Sequence, residues 1–88
     1  MLEAFDWITT MQTGIFSGEP AVVVLSLGGE KSVTVNNAVE NLTKIGIVVV
    51  AAAGNTYGND ACLKSPASSS FAITVGATRK VTANTRLW

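Results

Sequence analysis

Three apolar stretches of the chain have the length and composition of strands in a parallel sheet. They are Ala21–Leu27 (AVVVLSL), Ile47–Ala53 (IVVVAAA) and the shorter Ala72–Ala77 (AITVGA). Polar residues do not alternate with the apolar ones, and valine and isoleucine suit a pleated backbone. The pattern therefore predicts strands that are covered on both faces.

Two other segments have the spacing of amphipathic helices. In Leu2–Met11, apolar residues recur three and four positions apart and so share one helical face. A second apolar stripe begins at Val35 and ends at Ile45. Ser32 is the predicted N-cap of this helix, and Gly46 occupies its predicted C′ position.

Strands that alternate with amphipathic helices indicate β-α-β crossovers and hence an α/β fold. We predict a partial doubly wound parallel sheet, with three parallel strands, two helices, and helices on both faces. Two helices cannot cover three such strands, so uncovered faces would expose valine and isoleucine to water. The pattern therefore predicts that more chain belongs to this fold. No repeat or domain boundary divides residues 1–88.

Composition excludes several classes of function. Apolar residues make up 48% of the 88, but the longest apolar run, Ile45–Ala53, is far shorter than the roughly 20 residues of a membrane-spanning helix. Six basic and six acidic residues balance, so no basic surface is expected for nucleic acid. The first residues show no secretory signal, since Glu3 and Asp6 stand where basic residues would be expected.

Cys62 is the only cysteine, and the chain has no histidine. A disulfide within the chain and a structural zinc site are therefore excluded. Cys62 also lacks the base that a cysteine-protease nucleophile needs. We expect no cofactor and no metal in this chain.

Two loops of mostly small residues follow the first two strands. They are Ser26-Leu27-Gly28-Gly29 and Ala52-Ala53-Gly54-Asn55. Ligands of open α/β sheets bind beyond the carboxyl ends of the strands, and small residues let another backbone approach closely. The loops are thus a candidate binding site. From the residues alone, however, a turn is the favoured interpretation of Asn55, and the other residues could simply end two strands.

The blocks VVVLSLGG, GIVVVAAAGN and SPASSSFAITVGAT match, in order and spacing, a long stretch of the subtilisin-like serine proteases of the peptidase S8 family. The chain most resembles the proteinase K-like branch and the related animal convertases. There, a tripeptide like Asp60-Ala61-Cys62 also precedes Ser-Pro-Ala-Ser. The resemblance implies a serine endopeptidase that is secreted and acts on peptides or proteins.

The resemblance also implies roles for the two loops. Asn55 corresponds to the oxyanion-hole donor, whose amide hydrogen-bonds the oxygen that becomes negative as the scissile carbonyl turns tetrahedral. Ser26, Leu27 and Gly28 correspond to the segment that pairs antiparallel with the bound peptide. Residues Ala52–Gly54 would line the pocket for the residue before the cut.

Calcium and a disulfide are further properties of relatives. In some relatives, carbonyls just after the Ser-Pro-Ala-Ser block bind calcium, which would place Ser70 and Ala72 at such a site. The side-chain ligand lies outside this chain, so we assign no metal site to it. In convertase-like relatives, the cysteine equivalent to Cys62 is bonded to a later cysteine that this sequence lacks.

The catalytic residues of the family are missing. The subtilisin triad has the chain order Asp, His, Ser, but this chain has no histidine, and neither Asp6 nor Asp60 stands in the catalytic-aspartate motif. No nucleophile motif follows, and the Ser65-Pro66-Ala67-Ser68 block has no base beside it. We therefore expect residues 1–88 to be the part of the domain between the His and Ser blocks, inactive alone and completed by the rest of the protease domain.

Two functions from different classes stay open. The chain is either a piece of an active serine endopeptidase or a non-catalytic peptide-binding or regulatory protein, such as a pseudoprotease or splice product. The second would use Ser26–Gly28 for strand addition. A flavodoxin-like nucleotide binder is supported only by the α/β pattern, and the first loop lacks Gly-x-Gly-x-x-Gly spacing.

Overall fold

The structure, a computed structural model, describes residues 1–55, 58, 60–80 and 85–87. Its elements in chain order are α1 (Leu2–Thr13), β1 (Ala21–Leu25), β2 (Gly29–Glu30), α2 (Val33–Lys44), β3 (Ile47–Ala52), a 3₁₀-helix (Ala61–Leu63), β4 (Lys64–Ser65), β5 (Ala72–Val75), β6 (Thr78–Lys80) and β7 (Thr85–Leu87). In this part of the chain, no helix is both long and apolar enough to cross a membrane.

The central feature is a three-stranded parallel sheet in the order β1-β3-β5. The five residues of β1 pair in register with Ile47–Ala51 of β3, and β5 pairs with Val49–Ala52 on the other side of β3. Strand β3 is therefore hydrogen-bonded along both edges. An α/β fold with three parallel strands and two helices is thus confirmed.

Helix α2 begins and ends at the residues that the sequence predicts. The Ser32 hydroxyl accepts a hydrogen bond from the Val35 N–H at 3.2 Å, which satisfies one of the unpaired donors at the start of the helix. After the last turn, Gly46 has a φ of 92°, a left-handed conformation that glycine adopts at little cost. Both predicted ends of α2 are confirmed.

The hydrophobic core lies on one face of the sheet. Phe5 of α1 and Val39 and Leu42 of α2 are buried together with Ile47 and Val49 of β3. A single cluster thus joins both helices to the sheet, which means that both helices pack on the same face. The expectation of helices on both faces is therefore not met within the described residues.

The opposite face of the sheet is exposed. Five of its apolar side chains are between 47% and 67% exposed, and they are Val22, Val24, Val48, Ile73 and Val75. The prediction that each strand is covered on both faces is wrong for this chain, because both helices lie on the other side. The exposure agrees with the expectation that two helices cannot cover both faces of three strands.

The strands also end earlier than their apolar runs. β1 ends at Leu25 rather than Leu27, β3 at Ala52 rather than Ala53, and β5 at Val75 rather than Ala77. The short strand β2 then pairs antiparallel with β4, which takes the chain after β1 out of the parallel sheet. This antiparallel ladder was not predicted from the sequence.

Candidate functional site

The loops that follow β1 and β3 meet at one edge of the parallel sheet, because neighbouring parallel strands end there together. Between the loops lies a cleft of about 230 Å³. It contains all seven residues that the sequence predicts as site residues. The residues that line it are Ser26, Leu27, Gly28, Gly29, Ala52, Ala53, Gly54, Asn55 and Lys64.

The first wall of the cleft is the segment Ser26–Gly28. It lies between two ladders, since the β1–β3 pairing stops at Leu25 and the β2–β4 pairing starts at Gly29. All three of its residues are exposed, and the Leu27 side chain is 48% exposed. An extended peptide can therefore approach this segment without displacing a strand of the sheet.

Strand β4 braces this first wall. Ser65 is 2% exposed, pairs with Gly29 across the ladder, and accepts a hydrogen bond from the Ser32 N–H at 2.8 Å through its hydroxyl. A Cβ atom added at Gly28 would lie 3.3 Å from the carbonyl oxygen of Ser65, closer than ordinary van der Waals contact. The close approach of β4 therefore favours glycine at position 28.

The second wall, Ala52–Asn55, continues from β3. The Ala53 N–H donates to the Val75 carbonyl at 2.9 Å, which attaches the start of this wall to β5. Gly54 has a φ of 107°, a region that other residues rarely adopt. Asn55 is exposed, and its side chain makes no hydrogen bond to another described residue. Its amide can thus donate to a ligand in the cleft.

Sequence reasoning missed two residues of the cleft, Gly29 and Lys64. Lys64 is half-buried and is the only charged residue among the nine that line the cleft. It lies directly opposite Glu30 in the β2–β4 ladder. Lys64 belongs to a two-residue strand without a hydrophobic pattern, so no signal in the sequence could have identified it.

The serine-rich segment after β4 has a structural arrangement. The Ser65 and Ser68 hydroxyl oxygens are 3.3 Å apart, and the Asn36 amide of α2 donates to the Ser68 hydroxyl at 3.0 Å. These hydroxyls join the segment to helix α2 and do not line the cleft. Ser70, which is exposed, and Ala72, at the start of β5, also lie outside the cleft lining.

Asp60 and Cys62 influence each other outside the cleft. The Asp60 carboxylate accepts a hydrogen bond from the Cys62 N–H at 2.8 Å, and this bond lowers the pKa of Asp60. Conversely, the pKa of the exposed Cys62 thiol is raised, first by a hydrogen bond between the thiol and the Asp60 carboxylate and then by the negative charge of that carboxylate. Cys62 is therefore less reactive at neutral pH than an ordinary exposed cysteine.

Replacing Asp60 with asparagine is expected to speed the alkylation of Cys62 by iodoacetamide at pH 8. The variant lacks the negative charge that favours the neutral thiol, so more of the reactive thiolate is present. The rate should be followed by mass spectrometry from pH 6 to pH 10, and its midpoint should lie at lower pH in D60N. Glu3→Gln, which removes a charge from α1, is the control. An unchanged midpoint in D60N would contradict the assignment.

Comparison with known proteins identifies the family of the chain. The sequence profile of the subtilase family, peptidase S8, matches residues 2–87. The chain is 48% identical over 79 residues to subtilisin-like protease 2 of Arthroderma otae, which covers 90% of this chain and 18% of that protein. It is 44% identical over 78 residues to an extracellular serine proteinase of Thermus sp., covering 89% and 18%.

Subtilisin-like protease 2 of Trichophyton verrucosum is 47% identical over 79 residues, which is 90% of this chain and 19% of that protein. The chain therefore spans less than a fifth of the length of each of these relatives. The profile match extends over nearly the whole chain, and each of these identities exceeds 40%. The chain belongs to the subtilase family of serine proteases.

Proposed function

We propose that this chain supplies the oxyanion-hole donor and part of the peptide-binding cleft of a subtilisin-like serine endopeptidase. The observation that supports the proposal is that Asn55 lines one cleft together with two segments. These are the exposed segment Ser26–Gly28 and the small residues Ala52–Gly54. Family membership supports peptides or proteins as substrates.

Asn55 is the proposed oxyanion donor. When a nucleophile attacks the scissile carbonyl, the carbonyl oxygen becomes negatively charged, and a positioned N–H stabilises it more than it stabilises the ground-state carbonyl. Asn55 lines the cleft, and its side chain has no hydrogen-bond partner among the described residues, so its amide is available for this contact. The Asn55 amide can then donate to the substrate oxygen without first breaking a hydrogen bond to another described residue.

The two walls have different proposed roles in substrate binding. Ser26–Gly28 lies outside both strand ladders, so its backbone can pair with an extended peptide by strand addition. Ala52, Ala53 and Gly54 have small or no side chains, which leaves room between the walls for the peptide side chain before the cleaved bond. Main-chain pairing would give affinity, and the pocket would give selectivity.

We infer that the nucleophile and base come from sequence outside residues 1–88, and that this chain corresponds to the region between the His and Ser blocks. Acyl transfer needs both groups, and this chain has no histidine. The exposed face that contains Val22, Val24 and Ile73 supports the same inference, because packing against the rest of the domain would bury it. The name of the Thermus relative supports an extracellular location.

The alternative is a non-catalytic peptide-binding protein of the same family. It is favoured by the absence of histidine together with an exposed binding segment at Ser26–Gly28. Such a protein would bind peptides in the cleft and release them uncleaved.

Sequencing the native transcript on both sides of this segment separates the two functions. We expect an in-frame His-Gly-Thr-like block upstream and a Gly-Thr-Ser-like block downstream. The product of the complete reading frame should then hydrolyse peptides and be inhibited by a serine-directed phosphonate, while the 88-residue chain alone should not hydrolyse them. Stop codons that bound the segment, or phosphonate-sensitive hydrolysis by the 88-residue chain, would contradict the proposal.

A further inference from the structure

The charge distribution around the cleft is uneven. Of the nine described residues that line it, eight are uncharged, and the ninth is Lys64, which belongs to β4 rather than to either wall. A lysine ammonium offers three hydrogen-bond donors and no acceptor. The charged residue of the described lining is therefore a lysine, next to a space lined mainly by small residues.

We propose that Lys64 makes the cleft selective for peptides with a carboxylate side chain, glutamate or aspartate, at the residue before the cleaved bond. This inference rests on the proposed function, because it assigns that peptide side chain to the space beside Ala52–Gly54. It goes further in naming the substrate class and the residue that determines it.

The surroundings of Lys64 favour an external carboxylate. Lys64 is half-buried, and a hydrogen bond to a charged group is stronger where water is partly excluded. The nearest carboxylate by register is Glu30, directly opposite in the ladder, but Glu30 is exposed, is not part of the cleft lining, and forms no ion pair with Lys64. In the described part of the chain, the ion pair formed is Lys44 with Glu40 on α2.

The primary test measures peptide binding to the 88-residue chain. Two fluorescein-labelled, C-terminally amidated peptides, Ala-Ala-Pro-Glu and Ala-Ala-Pro-Gln, differ only in one charge at nearly constant shape. We expect the glutamate peptide to bind about tenfold more tightly in low salt, as a charge-assisted hydrogen bond in a partly exposed site would produce. The preference should decrease as the salt concentration rises.

Matched variants identify the residue responsible. Lys64→Met keeps the length of the side chain and removes the charge, so it should abolish the preference, while Lys64→Glu should favour a lysine peptide instead. Lys31→Met removes an exposed charge outside the cleft lining and should leave the preference unchanged. Loss of the preference in K31M, or its retention in K64M, would overturn the inference.

The outcomes separate this inference from the proposed function. Equal binding of both peptides overturns the role of Lys64 and leaves the peptide-binding cleft intact. If the chain is helical and unfolds cooperatively but binds neither peptide, both the role of Lys64 and the proposed function are overturned.

A second measurement does not depend on folding of the isolated chain. Residues 2–87 replace the matching segment of the Arthroderma otae protease, and kcat/KM is compared for substrates with glutamate or glutamine before the cleaved bond. Equal kcat/KM values for the two substrates would overturn the role of Lys64 alone. Loss of all hydrolysis in a folded chimera would overturn both that role and the proposed function.

Discussion

Asn55→Ala, in a catalytically complete protein that contains residues 2–87, is expected to lower kcat by about 100- to 1,000-fold. The size of the effect is adopted from the loss of one oxyanion-hole donor in subtilisin, a protease of the same family. Asn55 lines the cleft and its side chain has no hydrogen-bond partner among the described residues, so its removal leaves no described group unpaired. The loss should therefore fall on the transition state.

Steady-state kinetics test this expectation through the separate values of kcat and KM. An interaction made only in the transition state lowers kcat and kcat/KM together, so KM should change little. Asn55→Asp, which keeps the shape but removes the donor, should lose at least as much activity as Asn55→Ala. Asn37→Ala, at an exposed asparagine on α2, is the control and should keep normal kcat. A raised KM at unchanged kcat in N55A would show that Asn55 merely holds the substrate.

Leu42→Ala is expected to cost about 2–5 kcal/mol of the free energy of unfolding. Leu42 is 1% exposed and lies where α2 meets the core face of the sheet. Truncation removes buried methyl groups and leaves a cavity among Phe5, Val39 and Ile47, which cannot close without moving a helix. Domains of ordinary size have only about 5–15 kcal/mol in total, so this change uses a large part of the stability.

Urea denaturation followed by far-ultraviolet circular dichroism measures the change. Leu63→Ala removes the same atoms at a position that is 63% exposed, and it should shift the midpoint little. Similar shifts for L42A and L63A would show that the core cluster does not determine the stability of the fold.

Features that depend on neighbouring residues were predictable from the sequence. The cap of α2 is one hydrogen bond to the Ser32 hydroxyl, and serine is a favoured capping residue. The turn after α2 needs one left-handed residue, and Gly46 adopts that conformation easily. The two helices followed from the periodicity of their apolar residues, and the three strands followed from continuous runs of valine, isoleucine and alanine.

Features that depend on distant residues were not predictable. The run AVVVL is equally compatible with one or two covered faces, and the exposure of Val22 and Val24 is decided by where the helices pack. The pairing of Glu30 with Lys64 joins two-residue strands that have no hydrophobic pattern, so neither the ladder nor the place of Lys64 at the cleft could be foreseen. For Asn55, residue type alone favoured a turn, and the family resemblance supplied the proposed role.

The position of β3 between two strands makes the two walls of the cleft unequal in stiffness. The wall Ala52–Asn55 continues from a strand bonded on both sides, whereas Ser26–Gly28 continues from β1, at the edge of the described sheet. Amide hydrogen exchange should therefore be slowest in β3 and faster in the segment that follows β1. A bulky ligand would therefore widen the cleft mainly at Ser26 and Leu27, because β4 packs against Gly28 and the other wall is held by β3 and β5.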